Sequence, residues 1–272
     1  MTGLPESPVL VIETDPPGSG NFQGQYLSRD GLHLYVPEAL KVYDDLGTKE
    51  FIREDTIIHR LTRSNGHWDS MRLEAENGAG IHLTGMGVLN DGTMLVTWND
   101  ETGNALMELP FQPARTVHKS ETKRIGSNLV GNLQIGVSPT ETRCAVRRIQ
   151  ATTETFTRRA TADVRANVDR IYGKPVIVPR GDTNVRVCQG FGLSDYDLFI
   201  ATGLHPNPAK IEHWDFRTGA MVGIYDADQF GPLPTDNPAF TWIEPEGVQG
   251  PWISVKVGSR EARRMRTFLH GL

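Results

Sequence analysis

The chain has 272 residues, a formal net charge of −5 and 38% hydrophobic residues. That balance argues against a general nucleic-acid binder, which carries a basic excess, and against a parallel α/β protein, whose central strands are apolar on both faces. No apolar run reaches the roughly 18 residues of a membrane-spanning helix, so membrane insertion is not expected.

The first predicted element is a strand in "SPVLVIET". The stretch ahead of it has no basic start and only a short apolar run, so it does not read as a signal peptide. From Asn21 the chain reads "NFQGQYLSRDGLHLYV", a Gln-Gly strand followed by Leu-Ser, a polar turn and a second strand. "TRSNGHWDS" follows, with a tight turn predicted at Asn65-Gly66. At Gly87, "GVLNDGTMLVTW" carries the hairpin signal Asn90-Asp91-Gly92, and at Gly136 "GVSPTETRCAVRRI" opens its turn with Ser138-Pro139. "CQGFGLSDYDLFIATG" repeats the first hairpin: Gln189, Gly190, Leu193, Ser194 and Leu198 fall on Gln23, Gly24, Leu27, Ser28 and Leu32. A last unit, "GVQGPWISVKVG", begins at Gly247.

The markers Gly24, Gly87, Gly136, Gly190 and Gly247 lie 49 to 63 residues apart. Units of that length, rich in turns, are the mark of propeller blades. With 28 glycines and 17 prolines and no long window of helical period, the chain is expected to be all-β. The expectation is a single β-propeller domain over 1–272, of five blades, with the N-terminal strand closing the ring against C-terminal residues. A two-sheet sandwich is the alternative.

Cys144 and Cys188 are the only cysteines and form no Cys-x-x-Cys pair, which argues against a thiolate zinc site and for two buried thiols. No nucleophile elbow, zinc-protease helix or phosphate-binding loop is present, so neither a metal nor a cofactor is expected. Asp30, Asp91 and Asp195 fall in corresponding turns, where Asp belongs for local hydrogen bonding.

Taken in order, "GNFQGQYL", "IHRLTRSNGHWDSMRLEAENGAG", "TMLVTW", "GDTNVRVCQGFGLSDYDLFIATG", "IEHWDFRTG" and "EPEGV" resemble a β-propeller family. That family contains phage tail receptor-binding proteins, the teichoic acid biosynthesis protein C family and helveticin-type bacteriocins. The matching pieces are Gln23-Gly24, Arg63 to Leu73, Trp98, Gln189-Gly190, Gly203 to Gly219 and Glu244 to Val248. One departure is Gly78-Ala79-Gly80, where relatives carry Gly-His-Gly; any role of that histidine is lost or moves to His82 or His67.

The resemblance implies a bacterial surface polysaccharide or wall polymer as ligand. Sugars are held by ring faces and planar polar groups, which makes Arg63, Asn65, His67, Trp68 and Asp69 candidate ligand residues, with Trp242 beside another turn. Each tryptophan has core packing as its alternative; for Trp98, Trp214 and Trp252, which alternate with apolar residues, core is the expectation. Arg147, Arg148, Arg158 and Arg159 form a local basic stretch that suits a polyanion, or a solvated outer strand. The leading function is a non-enzymatic phage tail receptor-binding protein, made in the host cytoplasm and carried in the virion tail. Its partners would be other tail proteins, and trimerisation would raise avidity. A helveticin-like bacteriocin and a wall-polymer (glycan or teichoic acid) processing enzyme are the alternatives.

Overall fold

Apolar residues at short intervals, punctuated by Gly, Pro, Asn and Asp, make strands that pair with their chain neighbours. The computed structural model describes residues 9–14, 16–18, 21–22, 26–28, 30–43, 51–76, 81–100, 103–138, 140–180, 188–202, 210–226, 242–243, 252–257 and 264–269. Strand β1 is Val9–Thr14. The next group is β2 (Asn21–Phe22), β3 (Tyr26–Leu27), β4 (His33–Tyr43), β5 (Phe51–Thr62) and β6 (His67–Glu74). Then come β7 (His82–Val88), β8 (Thr93–Asp100), β9 (Gly103–Pro110), β10 (Thr116–His118) and β11 (Lys123–Ile125). A third group is β12 (Asn132–Val137), β13 (Arg143–Ile149), β14 (Thr153–Ala160), the five-residue helix α1 (Thr161–Arg165) and β15 (Val176–Pro179). A fourth is β16 (Cys188–Leu193), β17 (Asp197–Thr202), β18 (Lys210–Asp215) and β19 (Ala220–Asp226). The last strands are β20 (Trp242–Ile243), β21 (Trp252–Val257) and β22 (Arg264–Leu269).

The described strands form five sheets, four of them four-stranded and one six-stranded. The innermost strands β3, β7, β12, β16 and β20 touch one another in that order, which makes the fold an all-β propeller with almost no helix. Strand β1 pairs antiparallel with β22, Val9 opposite Leu269, so one sheet is built from both ends of the chain. Strand β10 leaves its own neighbours and runs parallel to β6 at the outer edge of the first group's sheet. That edge is thereby covered by a segment from the next sheet.

The core lies between successive sheets. On β8, Met94, Val96 and Trp98 pack toward β5 and β6, while Leu95 turns the other way toward Leu133 and Ile135. A strand sandwiched on both faces reads as a continuous apolar run, as "MLVTW" does. Each such side chain taken out of water contributes roughly 1.5–3 kcal/mol. Between the third and fourth groups, Phe156, Phe191, Leu198 and Phe216 form the next layer, with Phe156 and Phe191 edge to face at 5.2 Å.

Two readings of the repeat need correction. Leu27, Val88, Val137 and Leu193 each end an inner strand at the hairpin turn, so the partner of Gly87 and Gly136 is Gly192, not Gly190. The error is two residues, and a shift of two keeps every side chain on its face, which is why it escapes a pattern search. Likewise Leu198 corresponds to Leu34, which pairs with Leu27; Leu32 lies in the turn and is half exposed. Gln23, Gly24, Gly78, Ala79, Gly80, Gly203 and Glu244 to Val248 lie outside the described residues.

Candidate functional site

The Leu-Ser repeat has a local cause. The Ser28, Ser138 and Ser194 hydroxyls accept hydrogen bonds from the amides of His33, Arg143 and Asp197 at 2.9, 3.2 and 3.1 Å, closing three inner hairpins alike. Asp30 accepts the Ser28 hydroxyl and the Leu32 amide, and Asp91 accepts the Thr93 amide. Asp30 and Asp91 therefore serve their own turns, while Asp195 accepts the Thr140 hydroxyl of the neighbouring sheet at 2.7 Å. The outer turns share this face: the Arg63 amide donates to the Leu32 carbonyl at 2.9 Å, and the Phe216 amide donates to the Tyr196 carbonyl at 2.9 Å. Inner and outer turns thus make one face, the natural place for recognition on this fold.

The Arg63–Gly66 turn joins β5 to β6, with Gly66 at φ +69. Two of the candidate residues build it. Arg63 donates from Nη1 to the Gly31 carbonyl at 2.7 Å, and the Asn65 Oδ1 accepts the His67 amide at 3.0 Å. The other three are displayed beyond it. His67 is exposed, with Nε2 3.3 Å from Asp69. Trp68 is half-buried, its ring edge-on to His59 at 6.5 Å. Asp69 pairs with Arg60 at 2.8 Å, and that hydrogen bond holds its carboxyl below the usual range. Arg60 in turn lies 4.4 Å over the Phe111 ring. On strand β6 successive side chains alternate, so the imidazole of His67 and the carboxylate of Asp69 share one face with Arg60, while the half-buried indole of Trp68 lies on the other face beside His59.

The support contains a network that the sequence did not flag. Buried His59 bonds through Nδ1 to the Ser70 hydroxyl at 2.8 Å and through Nε2 to Glu38 at 2.7 Å. Glu38 is 1% and His59 4% exposed. Burial at that level keeps the imidazole away from any substrate and makes the cluster a positioning device for the strand carrying Trp68. Its one sequence signal is a histidine set among apolar residues in "TIIHRLT".

The remaining candidates are elsewhere. Trp242 lies on β20, and its side chain is outside the described residues, as are those of Trp252 and His82. Trp98 is fully buried, with Nε1 donating to Asp100 at 2.9 Å; Trp214 is only half-buried against the third layer of the core. The arginine stretch is neither a solvated strand nor a continuous basic face. Arg147 is 5% exposed and forked onto Glu154 at 2.7 and 3.2 Å. Arg159 is 4% exposed and paired with Asp169 at 2.5 Å. Arg148 is half-buried, its stem beside Gly131. Arg158 is buried too, under Tyr196. Both cysteines are buried, and burial pushes the Cys144 thiol up to about 12. Among the described residues no cluster of His, Cys, Asp or Glu is placed to hold a metal, and no helix is long and apolar enough to cross a membrane.

No protein-family profile and no curated protein matches the chain. Among solved structures, the tail fiber of Staphylococcus aureus phage P68 has a TM-score of 0.70 at 18% identity, over 97% of this chain and 53% of the fibre. TolB from Acinetobacter baumannii has a TM-score of 0.47 at 11% identity, over 93% of this chain and 55% of that one. A luciferin-regenerating enzyme has 0.47 at 10%, over 98% and 96%. The chain spans about half the length of the fibre it matches best among these. At such identities the likeness shows the propeller fold and nothing finer.

Proposed function

We propose that this protein is a phage tail component that binds a bacterial surface glycan or wall polymer through the hairpin-turn face of a five-bladed propeller. The observation that carries the reading is the likeness to the staphylococcal phage tail fibre, which extends over 97% of the chain. The five described sheets and the pairing of β1 with β22 support five blades closed by the N-terminal strand. The half-buried indole of Trp68, next to the exposed Arg63–Gly66 turn, supports sugar binding, since a ring face at a loop suits a pyranose. In this reading the protein acts by binding, sits in the virion tail among other tail proteins, and gains avidity by oligomerising.

The test is sedimentation of purified protein with whole bacterial cells and with purified walls from candidate hosts. Trp68→Ala is expected to weaken retention by about 1–3 kcal/mol while the melting temperature stays near that of the parent. Unchanged retention of the variant, or no retention of the parent on any wall, would overturn the reading.

A further inference from the structure

One arginine on the turn face has no carboxylate. Arg158 is 6% exposed, its Nε is buried without a hydrogen-bond partner, and no acid lies within pairing distance among the described residues. The acids around it are committed: Asp195 accepts the Thr140 hydroxyl, Asp197 pairs with His213, and Asp215 holds the Nε of Arg217. A buried guanidinium is tolerated when paired and is costly when not. The partner it does have is the ring of Tyr196, 4.4 Å from the guanidinium carbon. Arg217 lies over the same ring at 5.3 Å, bound to Asp215 through Nε, so its two terminal nitrogens are free of described partners. Tyr196 itself is 45% exposed. Two guanidinium groups thus share one solvent-facing ring, Arg217 offset by Asp215 and Arg158 with no described carboxylate of its own.

We infer that Arg158, Tyr196 and Arg217 form a binding site for a phosphate group. Phosphate fits better than a carboxylate because its oxygens diverge tetrahedrally and can meet two separate guanidinium groups, whereas a carboxylate pairs in plane with a single fork. The site lies where the loop after α1 meets the turns of the fourth sheet: Lys174 donates its amide to the Phe216 carbonyl, and Tyr172 donates its amide to the Arg158 carbonyl at 2.8 Å. Both groups are therefore anchored by backbone on opposite sides of one seam, which is preorganisation for a ligand rather than a surface accident. The site is separate from the Trp68 turn and does not depend on the protein's being a tail component.

The test is isothermal titration and thermal melting of the full chain with inorganic phosphate, with dimethyl phosphate and with acetate, against chloride at matched ionic strength. Phosphate is expected to raise the melting temperature above the chloride control by mass action. Arg158→Met is expected to weaken phosphate binding at least about tenfold, as loss of a charge-assisted contact does, without lowering the melting temperature in the absence of phosphate. Arg217→Gln, an exposed change that leaves the core untouched, is expected to weaken binding severalfold and keeps the proposal testable if the first variant does not fold. Binding of dimethyl phosphate as well as inorganic phosphate would identify a phosphodiester as an acceptable source; binding of inorganic phosphate alone would identify a terminal phosphate. No phosphate binding by the parent, stronger binding of acetate, parental binding by either variant, or marked destabilisation by Arg158→Met would overturn the site.

Discussion

Gly136 on β12 and Phe191 on β16 meet so closely that a Cβ added to the glycine would come 2.9 Å from the ring carbon Cε2. Neither sheet yields easily, because Phe191 is also held edge to face by Phe156. Gly136→Ala is expected to cost about 1–3 kcal/mol by overpacking. Gly66→Ala, at φ +69 with nothing within 4 Å, pays only the backbone term of about 1–2 kcal/mol. Urea unfolding midpoints would compare the two, and a neutral Gly136→Ala would show that the inner strands are not in tight contact.

The Arg147–Glu154 pair predicts a steep single-mutant penalty. Both side chains are nearly inaccessible, so Arg147→Met leaves a buried carboxylate without its fork and is expected to cost about 3–5 kcal/mol. The double change Arg147→Met with Glu154→Leu should recover most of that loss. If the double variant is as unstable as the single one, the pair is not what holds β13 to β14.

The Glu108–Arg165 pair links β9 to helix α1 across two sheets. Arg165 donates from Nη2 and Nε at 2.7 and 3.0 Å, and this holds the Glu108 carboxyl below its ordinary 4.5. A carboxyl depressed in the folded state contributes stability above its unfolded value and loses it as pH falls through the folded one. Stability should therefore decline below about pH 4.5, and Glu108→Gln should remove part of that decline. A pH–stability curve unchanged in the variant would count against the linkage.

The buried thiols give a probe of global opening. Cys144 is fully buried and its thiol is pushed up to about 12, so it should stay unmodified by a thiol reagent near pH 8 until the protein unfolds. Rapid labelling of native Cys144 would mean that the layer between β9 and β13 opens locally.

By itself the sequence determined the class of fold, because alternation, turn chemistry and a repeat near fifty residues are local properties of the chain. Leu27-Ser28 and Leu193-Ser194 were legible as equivalents because one serine hydroxyl closes each hairpin within a few residues of itself. That "VLVIE" would pair with C-terminal residues followed from the repeat, whose last unit needs a further strand, rather than from the strand itself, and β1 does pair with β22. What the tertiary structure alone decided was register and company. Gly87 and Gly190 looked alike, but the hairpin turn moves the equivalence to Gly192. Arg147, Arg158 and Arg159 read as one basic stretch, yet two meet carboxylates and the third meets a tyrosine from another sheet. A strand sequence states which residues share a face; it cannot state what a strand tens of residues away will set against that face. The charge of an arginine is written in the sequence, and whether that charge is neutralised depends on the packing of neighbouring sheets.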